Sequence, residues 1–544
     1  MRICCFALIV CILCICTHTM AEAENILVLP GMETGSHFLF MKIVGNALLD
    51  RGHQVTFVLG ESHSHDLNDE FSVLRFNTNV TVGTWKAFWN NLAVANSRGE
   101  HIHPLSFNHS QMKTLVYDGC HSLLRDTNFM DNIKYNTQMN YSVIIGDILN
   151  PCAPILSLYL SVPLVEVATG SITANLVHLS THTVNPYYFP RDNNGLPTIA
   201  PLNLHQQAIQ STRILVATLH YQTAVLTNFD HLKANYNIRP DISIYTAMSR
   251  AKLWLFNVDF SLEVARPSMP NSVFVGGITA TDPRPLPKKM EKFMLKSGRH
   301  GVVVVSLGSY FNDMDKKISD IWASAFARLD QRVIWSYSGK PPSTLGNNTM
   351  LVKSIPQNDV LGHYKAKAFV THAGLNGIYE AIYHSVPMVC IPFSGDQFNN
   401  AKRVSMRNLG TKIEAQHLTS VILYDAIKEV LSNPIYKKEI KYRSEILRNK
   451  NMPAPQRAAY WIEHVAKQKY DNSHTSMIHN VWDNYMISIW MRLLFAIVLI
   501  FIALLFGLKV LLFFCRKCGY RPPNIFNRIR RKLALRRILL KYSP

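Results

Sequence analysis

Three short stretches in the second half of the chain carry residues suited to holding an anion. They are Gly308-Ser309, His372-Ala373-Gly374-Leu375-Asn376-Gly377 and Gly395-Asp396-Gln397. Each follows an apolar run, so each falls at a strand end, where open α/β sheets bind ligands. A glycine-flanked turn running into a helix offers backbone N–H groups and a helix N-terminus to a phosphate. A diphosphate suits such a site. His372 adds a donor, and Glu380, further along, can accept hydroxyl hydrogens. Taken singly, each stretch reads equally well as a turn. Neither GxGxxG nor GxxxxGK[ST] occurs, which disfavours nicotinamide dehydrogenases and P-loop enzymes.

In the first half, His37 lies where a strand gives way to a helix, and Asp147 ends another strand. A neutral hydroxyl is a poor nucleophile, and a histidine held by a carboxylate can take its proton. The two residues are 110 positions apart, within reach of each other only if their strands are neighbours. With 22 histidines in the chain, residue type alone does not single out His37. His63-Ser64-His65-Asp66 and His101-Ile102-His103 lack further ligands at informative spacing, so no metal site is expected.

These residues need sheets to position them. Residues 25–29 read as a strand, 31–36 as a loop, 37–49 as a helix stopped by Gly52, and 55–59 as a second strand. This is the opening of a parallel α/β domain. A further strand runs from Tyr141 to Ile145 and ends at Gly146-Asp147. Gly276-Gly277 and the proline-rich stretch 282–287 mark an interdomain linker. The pattern restarts with strands at 301–306, 332–335, 367–371 and 387–392 and helices at 318–329 and 375–383. Two such domains leave a cleft between them.

Length and charge bound the rest. The chain has 544 residues, which suggests about three domains or two large ones. Apolar residues make up 48% and charged residues 17%, which excludes a disordered chain. The net charge of +20 first suggests nucleic acid, but residues 515–544 hold ten basic residues and no acidic one. The remaining 514 residues carry 46 − 36 = +10, so nucleic acid is not expected as a partner. Met1-Arg2, an apolar run and small residues at Ala21 and Ala23 read as a secretory signal peptide. Residues 489–512 have the length and apolarity of a membrane span, and the basic tail that follows marks the cytoplasmic side. Cys120, Cys152 and Cys390 remain between the ends, and three thiols predict no disulfide framework. Sequons begin at Asn79, Asn108, Asn140 and Asn347.

The stretch from Ile355-Pro356-Gln357 through Thr371-His372-Ala373-Gly374-Leu375-Asn376-Gly377 and Glu380 to Gly395-Asp396-Gln397 resembles the UDP-glycosyltransferase signature. The family includes UDP-glucuronosyltransferases, UDP-glucosyltransferases and ceramide galactosyltransferase. The signal, the linker, Ser306-Leu307-Gly308-Ser309, Tyr460-Trp461-Ile462-Glu463 and the anchor extend the likeness over nearly the whole chain. It implies an α/β GT-B fold of two Rossmann-like domains facing a cleft, with one C-terminal transmembrane helix. The expected segments are a signal peptide at 1–23, an acceptor-binding domain at 24–280 and a UDP-sugar-binding domain at 281–450. Helices packing back across the domains follow at 451–488, then the span at 489–512 and the tail at 513–544.

By position, Ser309, His372, Asn376 and Gly377 would face the diphosphate, Gln357 and Glu380 the ribose, and Asp396 and Gln397 the sugar, with Gly374 also in the donor site. No cofactor or metal is implied, because protein donors and a helix dipole take the place of a cation. Gly35-Ser36-His37 matches the family's base, and Asp147 its partner. The implied reaction is transfer of a hexose from a UDP-sugar to a hydroxyl of a small lipophilic acceptor, with inversion. Two departures stand out. Ser354 occupies the place of a tryptophan that packs on uracil, a contact of roughly 1–3 kcal/mol by analogy with base–aromatic stacking. His-Ala-Gly replaces His-Gly-Gly, a small change. Glucuronosyltransferases place an arginine where this chain aligns Asn257, which favours UDP-glucose or UDP-galactose over UDP-glucuronate, with Arg266 as the substitute that would restore glucuronate. Ser354 also motivates an alternative, an impaired family member that binds a lipophile or a partner. The implied address is the endoplasmic reticulum membrane in single-pass type I topology, with the plasma membrane as the other option. Oligomeric state, homo- or hetero-, stays open.

Overall fold

The computed structural model describes residues 23–31, 35–63, 67, 69–97, 107–136, 140–170, 220–264, 268–308 and 314–468, with parts of 203–219 and 493–514. The chain divides into two compact units, Met1–Asn472 and Ser473–Pro544. The expected signal peptide, apart from Ala23, and the tail from residue 515 onward lie outside the described residues.

Short aliphatic runs buried on both faces build the first sheet, as parallel strands require. Strand β1 (Asn25–Leu29) leads to helix α1 (Gly35–Leu49), β2 (Gln54–Gly60) and β3 (Ser72–Phe76). Helices α2 (Val82–Ser97) and α3 (Phe107–Arg125) precede β4 (Tyr141–Asp147), α4 (Cys152–Leu160), β5 (Leu164–Ala168), β6 (Leu253–Phe256) and β7 (Ser272–Phe274). The strand order is β3-β2-β1-β4-β5-β6-β7, and every pairing is parallel. The winding direction reverses between β1 and β4, which opens a crevice at their C-terminal ends.

The second sheet repeats the plan. It comprises β8 (Val302–Ser306), α5 (Lys316–Ala327), β9 (Arg332–Ser336), β10 (Thr349–Val352), α6 (Gln357–Gly362), β11 (Ala366–Thr371), α7 (Leu375–Tyr383), β12 (Met388–Cys390), α8 (Gln397–Met406) and β13 (Gly410–Lys412). Its order is β10-β9-β8-β11-β12-β13, again all parallel. Here the reversal falls between β8 and β11. The valine run Val302–Val305 is wholly buried. One hydrophobic cluster includes Leu29 and Ile144 of the first sheet and Val304 and Phe369 of the second.

Helix α9 (Ala454–Lys467) returns to the first sheet. Its Ala458, Ala459, Ile462 and Val465 join Phe40, Met41, Val44 and Leu48 of α1 in one core. Glu463 of α9 accepts from Arg51, just past α1, with an Nε–Oε2 distance of 2.7 Å, and also pairs with Lys467.

Two observations depart from the sequence expectations. Cys120 of α3 and Cys152 of α4 form a disulfide, where three thiols had predicted no framework. The helices bearing them meet although the residues are 32 positions apart, and spacing alone does not reveal such a meeting. Strand β5 escaped detection because Glu166 interrupts its apolar run. Its carboxyl is buried with no hydrogen-bond partner among the described residues, and burial, reinforced by Asp147, pushes it well above the usual carboxylate range.

In the second unit, helical residues from Leu493 to Leu511 expose large apolar side chains, Phe506 at 68%. Among the described residues no helix is long and apolar enough to cross a membrane. Residues 489–492, 495 and 512 of the expected span lie outside the described residues.

Candidate active site

The two switch points meet in one cleft of about 740 Å³. Its wall brings together His37, Ser354, Gln357, His372, Gly374, Asn376, Gly377, Glu380, Asp396 and Gln397. Ser309 lies outside the described residues.

On the first-sheet side, β1 and β4 are adjacent and Leu29 pairs with Gly146. Asp147 therefore projects one residue beyond the β1 register, toward the start of α1. His37 Nδ1 lies 2.6 Å from Asp147 Oδ2. Asp147 is fully buried, and its Oδ1 accepts from the Leu149 amide at 2.9 Å. A β-carbon on Gly31 would stand 2.6 Å from Asp147 Cγ, so glycine is needed where the chain leaves β1. Burial lowers the His37 pKa, but the charge and hydrogen bond of Asp147, with help from Asp396, more than offset this and leave it raised. Carboxylate on Nδ1 sets the tautomer with the lone pair on Nε2, the form a general base requires.

On the second-sheet side, His372 opens the turn after β11. Its ring packs against Gly308 and Gly374, where β-carbons would approach to 2.9 Å and 2.5 Å. Burial pushes His372 down to about 4, opposed by a hydrogen bond to the Ser306 backbone. It is neutral at pH 7 and offers an anion a dipole rather than a charge. Ala373 adopts φ +66°, a left-handed conformation that favours glycine. The His-Ala-Gly change therefore falls at a strained position. Gly374 caps α7, whose first-turn N–H groups have no intrahelical acceptor and open on the cleft.

Gln357 Nε2 donates to Glu380 Oε2 at 2.7 Å. Burial raises Glu380 to about 7, against hydrogen bonds from Gln357 and Thr279. Asp396 Oδ2 accepts from Asn400 Nδ2 at 2.9 Å. Gln397 Oε1 is occupied by the amides of Phe393 and Ser394 at 2.8 and 3.0 Å, so its carbonyl shapes its own loop. Ser354 is exposed beside Lys353. Trp89, from the first half, supplies an indole to the cleft wall. His63 is buried against Phe38, while residues 64–66 and 101–103 lie outside the described residues.

Sequence reasoning missed Thr169 and the role of Asn257. Thr169 Oγ1 lies 2.7 Å from His37 Nδ1 and 3.0 Å from Nε2. Asn257 is buried and bonds Asn376 across the cleft at 2.9 Å. The proline before β5 and Thr169-Gly170 after it were the available signal for that strand end.

A family model described as UDP-glucoronosyl and UDP-glucosyl transferase matches residues 24–521. UDP-glucuronosyltransferase 1-2 of Mus musculus is 32% identical over 523 residues, covering 93% of this chain and 94% of the mouse protein. UDP-glucuronosyltransferase 2B15 of Homo sapiens is 33% identical over 493 residues, covering 86% of this chain and 89% of the human protein. Among solved structures, the calicheamicin glycosyltransferase CalG4 superposes with a TM-score of 0.58 at 16% identity, over 82% of this chain and all of CalG4, a likeness of GT-B fold. With the family match running through both sheets and the cleft between them, the chain belongs to the UDP-glucoronosyl and UDP-glucosyl transferase family and is a glycosyltransferase.

Proposed function

We propose that the protein transfers a hexose from a UDP-sugar to the hydroxyl of a small lipophilic acceptor, with inversion at the anomeric carbon. The observation that carries this reading is the His37–Asp147 pair, 2.6 Å apart, in the same cleft as the N-terminus of α7. The acceptor hydroxyl gives its proton to His37 Nε2 as its oxygen attacks the anomeric carbon. The bond from that carbon to the diphosphate oxygen breaks, and UDP leaves with the electron pair. Asp147 stabilises the imidazolium that forms. The first-turn amides of α7, with His372 and Asn376, meet the charge that develops on the diphosphate. Glu380 and Gln357 are suited to ribose hydroxyls, and Asp396 to the sugar.

The donor we favour is UDP-glucose or UDP-galactose. Asn257 is neutral, and its amide is already engaged with Asn376 and Thr169. Among the described residues of the cleft wall the guanidinium and ammonium groups are those of Arg284 and Lys353, and Arg284 lies 3.4 Å from Asp359. Glucuronate is the second reading, favoured by the names of the relatives. A signal peptide at 1–23, an anchor at 489–512 and an endoplasmic reticulum address with lumenal catalytic domains complete the proposal. They are supported by the apolar run and the basic tail.

The test is UDP release from UDP-glucose, UDP-galactose and UDP-glucuronate with a panel of lipophilic alcohols and phenols. Release above that of a His37→Ala control supports the enzyme reading. Exclusive use of UDP-glucuronate overturns the donor assignment. No release with any donor favours the alternative of an impaired, lipophile-binding member, for which the loss of the uracil-packing tryptophan at Ser354 is the motive.

A further inference from the structure

A side-chain amide, that of Asn257, reaches across the cleft. Ala168 and Phe256 are register partners in β5 and β6, so Thr169 and Asn257 leave the sheet side by side. The Asn257 backbone amide donates to the Ala168 carbonyl at 2.9 Å, which fixes where its side chain starts. Asn257 Nδ2 then donates in two directions, to the Thr169 carbonyl at 3.2 Å and to Asn376 Oδ1 at 2.9 Å. Thr169 touches His37 through its hydroxyl, and Asn376 stands in the first turn of α7. An unbroken path therefore runs from Asp147 through His37, Thr169 and Asn257 to Asn376.

The other end of the Asn257 amide makes the case stronger. Oδ1 is buried and has no hydrogen-bond partner among the described residues. An amide with one unpartnered buried oxygen is a poor choice for packing, because burying a polar group unpaired is unfavourable. What Asn257 gains lies on its nitrogen, in one bond to its own sheet and one across the cleft.

We propose that Asn257 is a positioning residue that couples the donor-facing helix to the proton-accepting histidine. The proposal rests on the glycosyltransferase reading above. A donor that engages Asn376 changes the hold on Asn257, and through Thr169 the presentation of His37 to the acceptor. Coupling of this kind is reciprocal, so acceptor and donor each tighten the other by the same factor.

The experiment uses the full chain in detergent-solubilised membranes, with UDP release as the readout. In the wild type, the acceptor KM falls by about fivefold or more between sub-saturating and saturating UDP-sugar, the lower end of the usual range of such couplings. In Asn257→Leu the ratio is one, and kcat/KM falls roughly tenfold for the loss of two buried hydrogen bonds. Asn257→Ser, small enough to be tolerated and too short to reach both partners, gives the same ratio and guards against misfolding of the leucine variant. Thr169→Val keeps shape and carbonyl but removes the hydroxyl from the neutral imidazole, so the acid limb of the rate–pH profile moves up. Asp147 beneath the ring and Asp396 near it are unchanged in that variant. A wild-type coupling ratio in folded Asn257→Ser, an active wild type with a ratio of one, or an unmoved limb in Thr169→Val overturns the proposal. An inactive wild type with every donor instead overturns the glycosyltransferase reading itself.

Discussion

At the scale of residues, the cleft separates two titrating groups with different tasks. His37 has its pKa raised by Asp147 against the lowering effect of burial, so the neutral base that the proposed reaction requires forms at higher pH than in an unperturbed histidine. The rate should therefore rise with pH through a value above about 6.5. His37→Ala should cost about 10²–10⁴-fold in kcat, the usual worth of a general base. Asp147→Asn should cost a comparable factor and move that limb to lower pH, because burial then acts without its counterweight. Steady-state rate–pH profiles check both outcomes. Glu380, held near 7, should behave differently. Its anion is the better acceptor for hydroxyls, so binding the donor releases a proton and affinity rises with pH up to about 7. Calorimetric titration with UDP should show that slope in the wild type and a flat response in Glu380→Gln. Little of this was legible in the sequence. Family position picked His37 from 22 histidines, but the raised and lowered pKa values follow from burial, which no local pattern reports.

At the scale of elements, α9 is held on α1 by a small apolar stripe and one acidic clasp. Arg51 and Lys467 hold the Glu463 carboxyl down to about 2, against the opposing effect of burial. A carboxyl depressed in the folded state stabilises above its unfolded pKa, so the contribution is complete above about pH 4.5 and fades as pH falls toward 2. Glu463→Gln should cost about 1 kcal/mol at pH 7, since Arg51 is partly exposed, and much less at pH 2. Thermal unfolding at the two pH values distinguishes this from a packing effect, which would persist in acid. Several elements were read closely: the strand expected at 25–29 is β1, and the helix expected at 375–383 is α7. β5 was not, because a buried glutamate looks like a solvent-facing one when only its neighbours in sequence are known.

At the scale of the whole molecule, buried polar links hold the two sheets' halves together. Arg403 of α8 and Glu263, after β6, meet at 2.6 Å and are almost completely buried. Glu263→Ala should cost about 3–5 kcal/mol, because it leaves a guanidinium buried without its partner. Arg403→Met combined with Glu263→Met should recover much of that loss in the same denaturation assay. The Cys120–Cys152 disulfide closes a loop of 32 positions, and the chain-entropy model gives it about 3–4 kcal/mol. Reduction should lower stability by that amount, read as a shift in the denaturant midpoint.

The sequence by itself determined the class of fold, the glycine-bearing turns before helices and the family. Each is a local pattern: apolar runs of strand length, glycines before helices, and a signature of consecutive residues. The tertiary structure decided what distant positions do to one another. It paired His37 with Asp147 across 110 positions, joined Cys120 to Cys152, left Glu166 without a partner among the described residues and bridged the cleft with Asn257. Those outcomes depend on which strands become neighbours. Strand order is a property of the packed chain, and no single stretch of sequence carries it.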